Sequence, residues 1–256
     1  MRIKYCLVQM MKMLLGASTL CAVALTMVRA QKPMSALGGF FPLSAGTYWV
    51  YEGTVEWEEP EGDKPGSAEV TWKMKVERVL RKPGVVAAVV TGFPADLDWT
   101  AGTTEPKPWL IVEDEKHRVF FENLGPNFAL ASLNGDEHAF DKFMVDENLF
   151  FRWPVQPGEK FCDEEAKKRE DGFYCWNVAE VTKQKVQTVT GVSSEERDVI
   201  RMEYGTLPDD QKIELTAGVG ILSYRYHHHG TVADTDLRLV EFHSGEGSPT
   251  VLGQKP

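Results

Sequence analysis

Basic side chains are scarce in this chain: 28 Lys and Arg stand against 38 Asp and Glu over 256 residues, a formal charge of −10. With no basic stripe to neutralise phosphates or displace their counterions, nucleic acid and anionic membrane surfaces are excluded as partners. Strongly apolar runs are short. The uncharged stretch from Met13 to Val28 is diluted by Gly16, Ser18 and Thr19, and falls short of the roughly 20 apolar residues that a stable membrane anchor needs. Motifs are missing as well: there is no G-x-S-x-G elbow, no G-x-x-x-x-G-K-[ST] loop, no H-E-x-x-H and no G-x-G-x-x-G. The common hydrolase and nucleotide sites therefore have no support. Only 4 cysteines occur.

What is present begins with an address. Arg2, Lys4 and Lys12 precede the uncharged run, and Val28-Arg29-Ala30 follows with the residues that signal peptidase accepts, so residues 1–30 read as a signal peptide. Leu20 stands before Cys21 where a lipoprotein signal wants a small residue. Removing residues 1–30 leaves 24 basic against 38 acidic side chains, a charge of −14. Cys6 and Cys21 leave with the signal. Cys162 and Cys175 remain in an oxidising, periplasmic or extracellular compartment and are expected to form one disulfide, worth about 3 kcal/mol on the chain-entropy account.

The mature chain alternates with period two. From Trp49 to Trp57 the odd positions carry Trp49, Tyr51, Gly53, Val55 and Trp57, and the even ones Val50, Glu52, Thr54 and Glu56. Beyond the breaker-rich turn Glu59–Gly66 the pattern resumes as Ala68, Val70, Trp72, Met74 and Val76, which predicts a long antiparallel hairpin with Glu52 and Glu56 facing Lys73 and Lys75. Further strands are expected at 85–93, 109–113, 117–122, 149–154, 174–181, 186–190, 198–204, 212–216, 220–228 and 236–243. So many short strands with one apolar face imply an all-β fold: a strongly curved antiparallel sheet, half-barrel or open barrel. Helix is expected only around Asn134–Met144 and Glu164–Glu170. The organisation read from this pattern is a flexible N-terminus over 31–40, a curved β domain over 41–245 and a tail over 246–256. Pro42-Leu43-x-x-Gly46-x-x-Trp49 is echoed by Pro154-Val155-x-x-Gly158-x-x-Phe161, which divides the domain into candidate sub-units 41–148 and 149–245.

The segment Phe41-Pro42-Leu43-x-x-Gly46-x-x-Trp49-x-Tyr51, with Gly218-Val219-Gly220-Ile221-x-x-Tyr224, resembles a set of uncharacterised exported bacterial proteins. These are similar in outline to the curved half-barrels of lipoprotein-sorting factors. The resemblance implies a fold more than an activity, because its residues are turn and core residues.

The densest chemical cluster is Tyr224-Arg225-Tyr226-His227-His228-His229-Gly230, followed by Asp234 and Asp236. His227 and His229 share a strand face, and with Asp234 or Asp236 they could begin a zinc or copper site. The plainer reading is a set of His–Asp contacts at a hairpin end, with Arg225 on the same face opposing a metal. Asp96-x-Asp98 and the run Glu56–Asp63 lack the ligand spacing and glycine of a calcium loop, and the pair Glu56 and Glu58 reads as a solvated turn. Trp49, Tyr51, Trp57 and Trp72 are either core or the lining of an apolar pocket. The pattern points first to an exported, noncatalytic envelope protein that holds an apolar ligand, such as a lipid or acyl chain, or docks an envelope partner. A scaffold that recruits partners by strand addition and a metal-dependent enzyme are the alternatives.

Overall fold

The computed structural model describes residues 39–59, 64–125, 140–188, 191–245 and 250–251, all within one compact unit, Leu37–Pro256. The signal segment, most of the 31–40 stretch, the turn centre 60–63, the proposed helix start at 134–137 and most of the 246–256 tail lie outside the described residues.

Thirteen strands follow in order: β1 Tyr48–Trp57, β2 Gly66–Lys82, β3 Val85–Thr91, β4 Pro108–Asp114, β5 Arg118–Asn123, β6 Leu149–Arg152, β7 Lys160–Phe161, β8 Trp176–Thr188, β9 Gly191–Gly205, β10 Asp209–Thr216, β11 Gly220–His228, β12 Ala233–His243 and β13 Thr250–Val251. Each strand from β1 to β6, and from β7 to β12, pairs antiparallel with the next, and β12 returns to pair with β1. The result is a nearly closed barrel of twelve antiparallel strands with one seam, between β6 and β7. Closure follows from the pattern, since a sheet with one apolar face must curl to bury it and pairs its edges in doing so. Across the seam Phe150 of β6 meets Trp176 of β8 edge-on, with ring centroids 4.6 Å apart. β13 adds to Leu80–Arg81 of β2 in parallel.

Side chains fill the middle of the barrel. Trp49, Tyr51, Met74, Phe150, Ile200, Met202, Tyr224 and Leu237 are buried there. β3 and β4 are buried on both faces, which explains the unbroken run Val85-Val86-Ala87-Ala88-Val89-Val90. Ala88, Val90 and Ile111 face the interior, while Ala87, Val89, Leu110 and Val112 lie under Phe140 and Phe143 on the outside. Where helix was expected, Phe140–Met144 instead forms a tight turn in which the Phe143 and Met144 N–H groups both donate to the Phe140 carbonyl.

The hairpin register differs from the expected charge pairing. Glu52 faces Thr71, Glu56 faces Ser67 and Lys75 faces Tyr48, so only Glu52 and Lys73 are even diagonal neighbours. Lys73 lies over the Tyr48 ring. Residues 176–181 and 186–188 of the runs 174–181 and 186–190, expected as separate strands, belong to the single strand β8, because the polar residues Thr182–Lys185 between them continue the ladder with β9; residues 189–190 lie outside the described residues.

The echoed motif builds the same structure twice. Thr47 N–H donates to Ser44 O and Glu159 N–H to Gln156 O, both at 3.1 Å. Gly46 and Gly158 hold φ of 84° and 88°, the left-handed position of a type II turn that disfavours a side chain. After each turn a carbonyl accepts from the neighbouring strand, Thr47 O from Val76 N–H and Glu159 O from Val178 N–H, both at 2.9 Å. Each of those valines is followed by a bulge, 76/78 in β2 and 178/180 in β8.

The two segments that carry the resemblance clamp one another. Trp49 Nε1 donates to Val219 O at 2.5 Å, Tyr51 OH to Ile221 O at 3.2 Å, and Gly218 N–H to Phe40 O at 2.9 Å. Phe40, assigned by the sequence reading to the flexible N-terminus, is fully buried against Phe151 and Trp153. The buried Glu113 carboxylate accepts the Phe40 N–H on both oxygens, at 2.8 and 3.0 Å. Burial raises the pKa of Glu113, against the Phe40 N–H and the nearby His117, which lower it. The ordered domain therefore begins before residue 41.

Candidate functional site

Register partners in a ladder share a face, and one such row runs around the barrel end: Phe161, Trp176, Tyr204, Gln211, Tyr226, Thr235 and Val55. Phe161, Tyr226 and Val55 belong to the interior core, so the whole row points inward. Over its first four members lies a groove of about 670 Å³. The aromatic floor is Phe161, Trp176 and Tyr204, and Trp176 and Tyr204 sit 5.2 Å apart.

One wall is the disulfide loop. Cys162 and Cys175 are bonded, as the sequence implied, with Cα atoms 4.8 Å apart. Inside the loop Asp163 caps the short helix α1, Glu164–Lys167, by accepting from the Glu165 and Ala166 N–H groups at 2.7 and 2.8 Å. Arg169 is gripped by both oxygens of Asp171 and lies 5.1 Å from the Tyr174 ring centroid. Tyr174 N–H donates to Gly205 O at 2.8 Å, which pins the loop to β9.

Farther along the row, the β3–β4 connection covers β11 and β12. It starts with a 3-10 turn, Pro94–Leu97. The buried Asp96 accepts from Lys107 N–H at 2.8 Å and Trp109 Nε1 at 2.9 Å, holding the far end of the connection in place. Burial raises the Asp96 pKa against these two donors. Asp98 accepts from Tyr224 OH at 2.5 Å, while its Oδ1 is shut off from solvent and has no hydrogen-bond partner. Burial pushes its pKa up to about 7, with the negative charges of Asp209 and Asp96 adding to the effect and Tyr224 and Thr235 opposing it. Burial also raises the Tyr224 pKa well above its usual value. Trp99 follows in the left-handed region, φ 60°, uncommon for a bulky residue, and is 58% exposed with its ring edge-on to His228 at 4.3 Å. Asp209 collects Tyr226 OH at 2.5 Å, His228 Nδ1 at 2.9 Å and Thr206 Oγ1 at 3.1 Å. Burial works to raise the Asp209 pKa, but those three hydrogen bonds outweigh it and the pKa falls below its usual value.

The residues singled out from sequence separate into two groups. Trp49, Tyr51 and Trp72 are core, and each polar tip is satisfied by a backbone carbonyl, Trp72 Nε1 donating to Gly92 O at 2.8 Å. Trp57 is half-buried and donates to Glu59. Of the four candidate metal ligands the structure brings three together: His227 pairs with Asp234 and its ring stands edge-on to His229 at 4.7 Å, while His229 Nε2 meets Asp210 at 2.8 Å and Asp236 is held apart by Arg225 at 2.5 Å. Among the described residues no group of three or more His, Cys, Asp or Glu side chains could hold a metal ion. Asp96 and Asp98 likewise serve separate donors. Sequence reasoning passed over Trp176, Tyr204 and Gln211. The available signal was the aromatic flank Phe173-Tyr174-Cys175-Trp176 beside the second cysteine.

No protein-family model matches the chain, and no curated protein does. Two solved structures match the chain at low similarity. One, from Bacteroides fragilis, is a protein inferred to be exported, with a YmcC-like fold; it is 13% identical, with a TM-score of 0.39 over 80% of this chain and 99% of that one. The other, from Parabacteroides distasonis, is inferred to be a lipoprotein; it is 14% identical, with a TM-score of 0.35 over the same shares.

Proposed function

We propose that this is an exported, noncatalytic envelope protein that holds the apolar part of a ligand, such as an acyl chain, at the mouth of its barrel. The observation that carries the reading is the groove of about 670 Å³ floored by Phe161, Trp176 and Tyr204. Its size lies within the roughly 300–1,000 Å³ of small-molecule sites, and the aromatic floor shares the lining with Glu147, Asp163, Glu165 and Arg169, which suits a ligand with an apolar part and a polar end. The aromatic residues first considered for such a pocket are packed as core, so the ligand is placed at the mouth and not in the middle. The signal-like N-terminus and the bonded pair Cys162–Cys175 support export. A noncatalytic role is supported by the way Asp96 and Asp209 are committed to holding loops. Strand addition is a second reading: β6 and β7 offer edges of only 4 and 2 residues, but β7 covers only Trp176 and Asn177 of β8, so Glu180–Thr188 has no strand partner on that side among the described residues. Native mass spectrometry of the processed protein, purified from cells without delipidation, tests the reading. An acyl-lipid adduct lost in a Trp176→Ala/Tyr204→Ala variant is expected. A bare mass for the wild type, together with no saturable binding of added dodecanoate, would overturn it.

A further inference from the structure

The seam carries a second feature, beside the groove, with which it shares Phe161 and Cys162. Val119 of β5 and Phe151 of β6 point into the core, so their neighbours Arg118 and Arg152 point outward. Phe161 of β7 points inward, and Lys160 beside it outward. These three cations, with Lys167 of α1, Asp146, Leu149, Phe161 and Cys162, line a small cavity of about 160 Å³ that lies across the seam. Arg118 and Arg152 are direct register partners. Like charges placed opposite one another destabilise a ladder, and here they sit in a chain whose overall charge is −10.

Counting the counter-ions sharpens the point. Arg118 is matched by Asp114 at 2.7 Å and Lys167 by Glu164 at 2.7 Å. Arg152 and Lys160 have no ion-pair partner among the described residues. Asp146 is the one carboxylate in the cavity lining and its charge acts on Lys167, which leaves two unmatched cations, Arg152 and Lys160, on opposite edges of the seam. Opposed residues in an antiparallel pair hold their Cβ atoms about 5 Å apart, a spacing at which two guanidinium groups can share the oxygens of one tetrahedral anion.

We propose that this cavity binds a phosphate-type oxyanion, which bridges the Arg118–Arg152 pair on one edge of the seam to Lys160 on the other. The anion removes the repulsion between the two arginines and ties β6 to β7 where no backbone ladder does so. Its cations Arg118, Arg152 and Lys160 do not line the groove, so an oxyanion here is recognised by different groups from the groove ligand. A free phosphate and the phosphate of a lipid headgroup share this chemistry.

Thermal unfolding and calorimetry with inorganic phosphate, against sodium chloride at equal ionic strength, test the site, and dioctanoyl phosphatidic acid against dioctanoyl phosphatidylcholine separates the two sources. Wild-type protein should show a saturable rise in Tm with phosphate or phosphatidic acid. Arg152→Gln should weaken that binding about tenfold or more, as expected for loss of a charge-assisted contact, and Lys160→Gln should weaken it less. Both side chains are exposed at the seam, so the variants should fold. Bound anion should also slow amide exchange at Leu149–Arg152. Response to phosphatidic acid but not to inorganic phosphate, with the same Arg152 dependence, identifies the headgroup as the source. The alternative is that the cations only keep foreign strands off the seam edges. In that case phosphate and chloride act alike, or Arg152→Gln binds phosphate as wild type does, and the proposal is wrong.

Discussion

Replacing Asp98 by Asn should make the protein more stable at pH 8 and leave it nearly unchanged at pH 4. Burial holds the Asp98 carboxyl protonated up to about pH 7, whereas an ordinary aspartate ionises near 3.8. Between those values the folded chain binds a proton that the unfolded chain has lost, so stability falls as pH rises through the window. Below it both states are protonated; above it the folded state bears the cost of a buried ionised group that Tyr224 and Thr235 only partly offset. At 1.36 kcal/mol per pH unit the ceiling is about 4 kcal/mol, and rearrangement of the site around the ionised carboxylate is expected to bring the effect to about 2 kcal/mol. Asn keeps an acceptor for Tyr224 OH and carries no charge. For a domain of this size the gain at pH 8 corresponds to about 4–8 °C in Tm. Asp96 and Glu113 also have raised pKa values, and they titrate in both proteins, so the difference between wild type and variant isolates Asp98. Scanning fluorimetry at pH 4, 6 and 8 reads the effect. Parallel curves for the two proteins, or an Asn variant weaker at every pH, would refute the assignment of a buried, proton-holding carboxyl.

Other perturbations follow from the same contacts. Cys162→Ser/Cys175→Ser should cost about 3 kcal/mol in urea unfolding, since the bridge closes a short loop and is buried with Ala166. Gly53→Ala should destabilise by about 1–3 kcal/mol, because an added Cβ would stand 1.8 Å from Asp236 O and force β1 away from β12 where the barrel closes. Tyr51→Phe should cost about 1 kcal/mol by leaving Ile221 O without the buried hydroxyl, measurable by chemical denaturation. Trp49→Ala, which empties a fully buried site, should cost about 3–5 kcal/mol and lower expression.

Strands with one solvated face were legible because alternation is a local property. β1, β5 and β11 came out within a residue or so of their expected limits. β7 was missed because it spans only Lys160–Phe161 and exists through pairing with β8. The middle of β8 and the start of β9 were missed because Lys183–Lys185 and the residues facing them, Asp198, Arg197 and Glu196, are polar, and the ladder alone makes them strand. The disulfide and the repeated Pro/Gly turn could be read from spacing. The mouth could not, since Phe161, Trp176, Tyr204 and Gln211 come from four strands and meet only through register. In the His-rich hairpin the contacts of His228 with Asp209 and of His229 with Asp210 could not be read from the sequence, because those aspartates lie 19 residues away and meet the imidazoles only through the β10–β11 register.

The account rests most heavily on where a ligand sits. Photolabelling the processed protein with a diazirine-bearing fatty acid, followed by peptide mapping, reads that position directly. Labels are predicted on Phe161, Tyr174–Trp176 and Tyr204 at the barrel mouth. Labels concentrated on Trp49, Tyr51 or Trp72, or no saturable labelling at all, would contradict a mouth site above a packed interior.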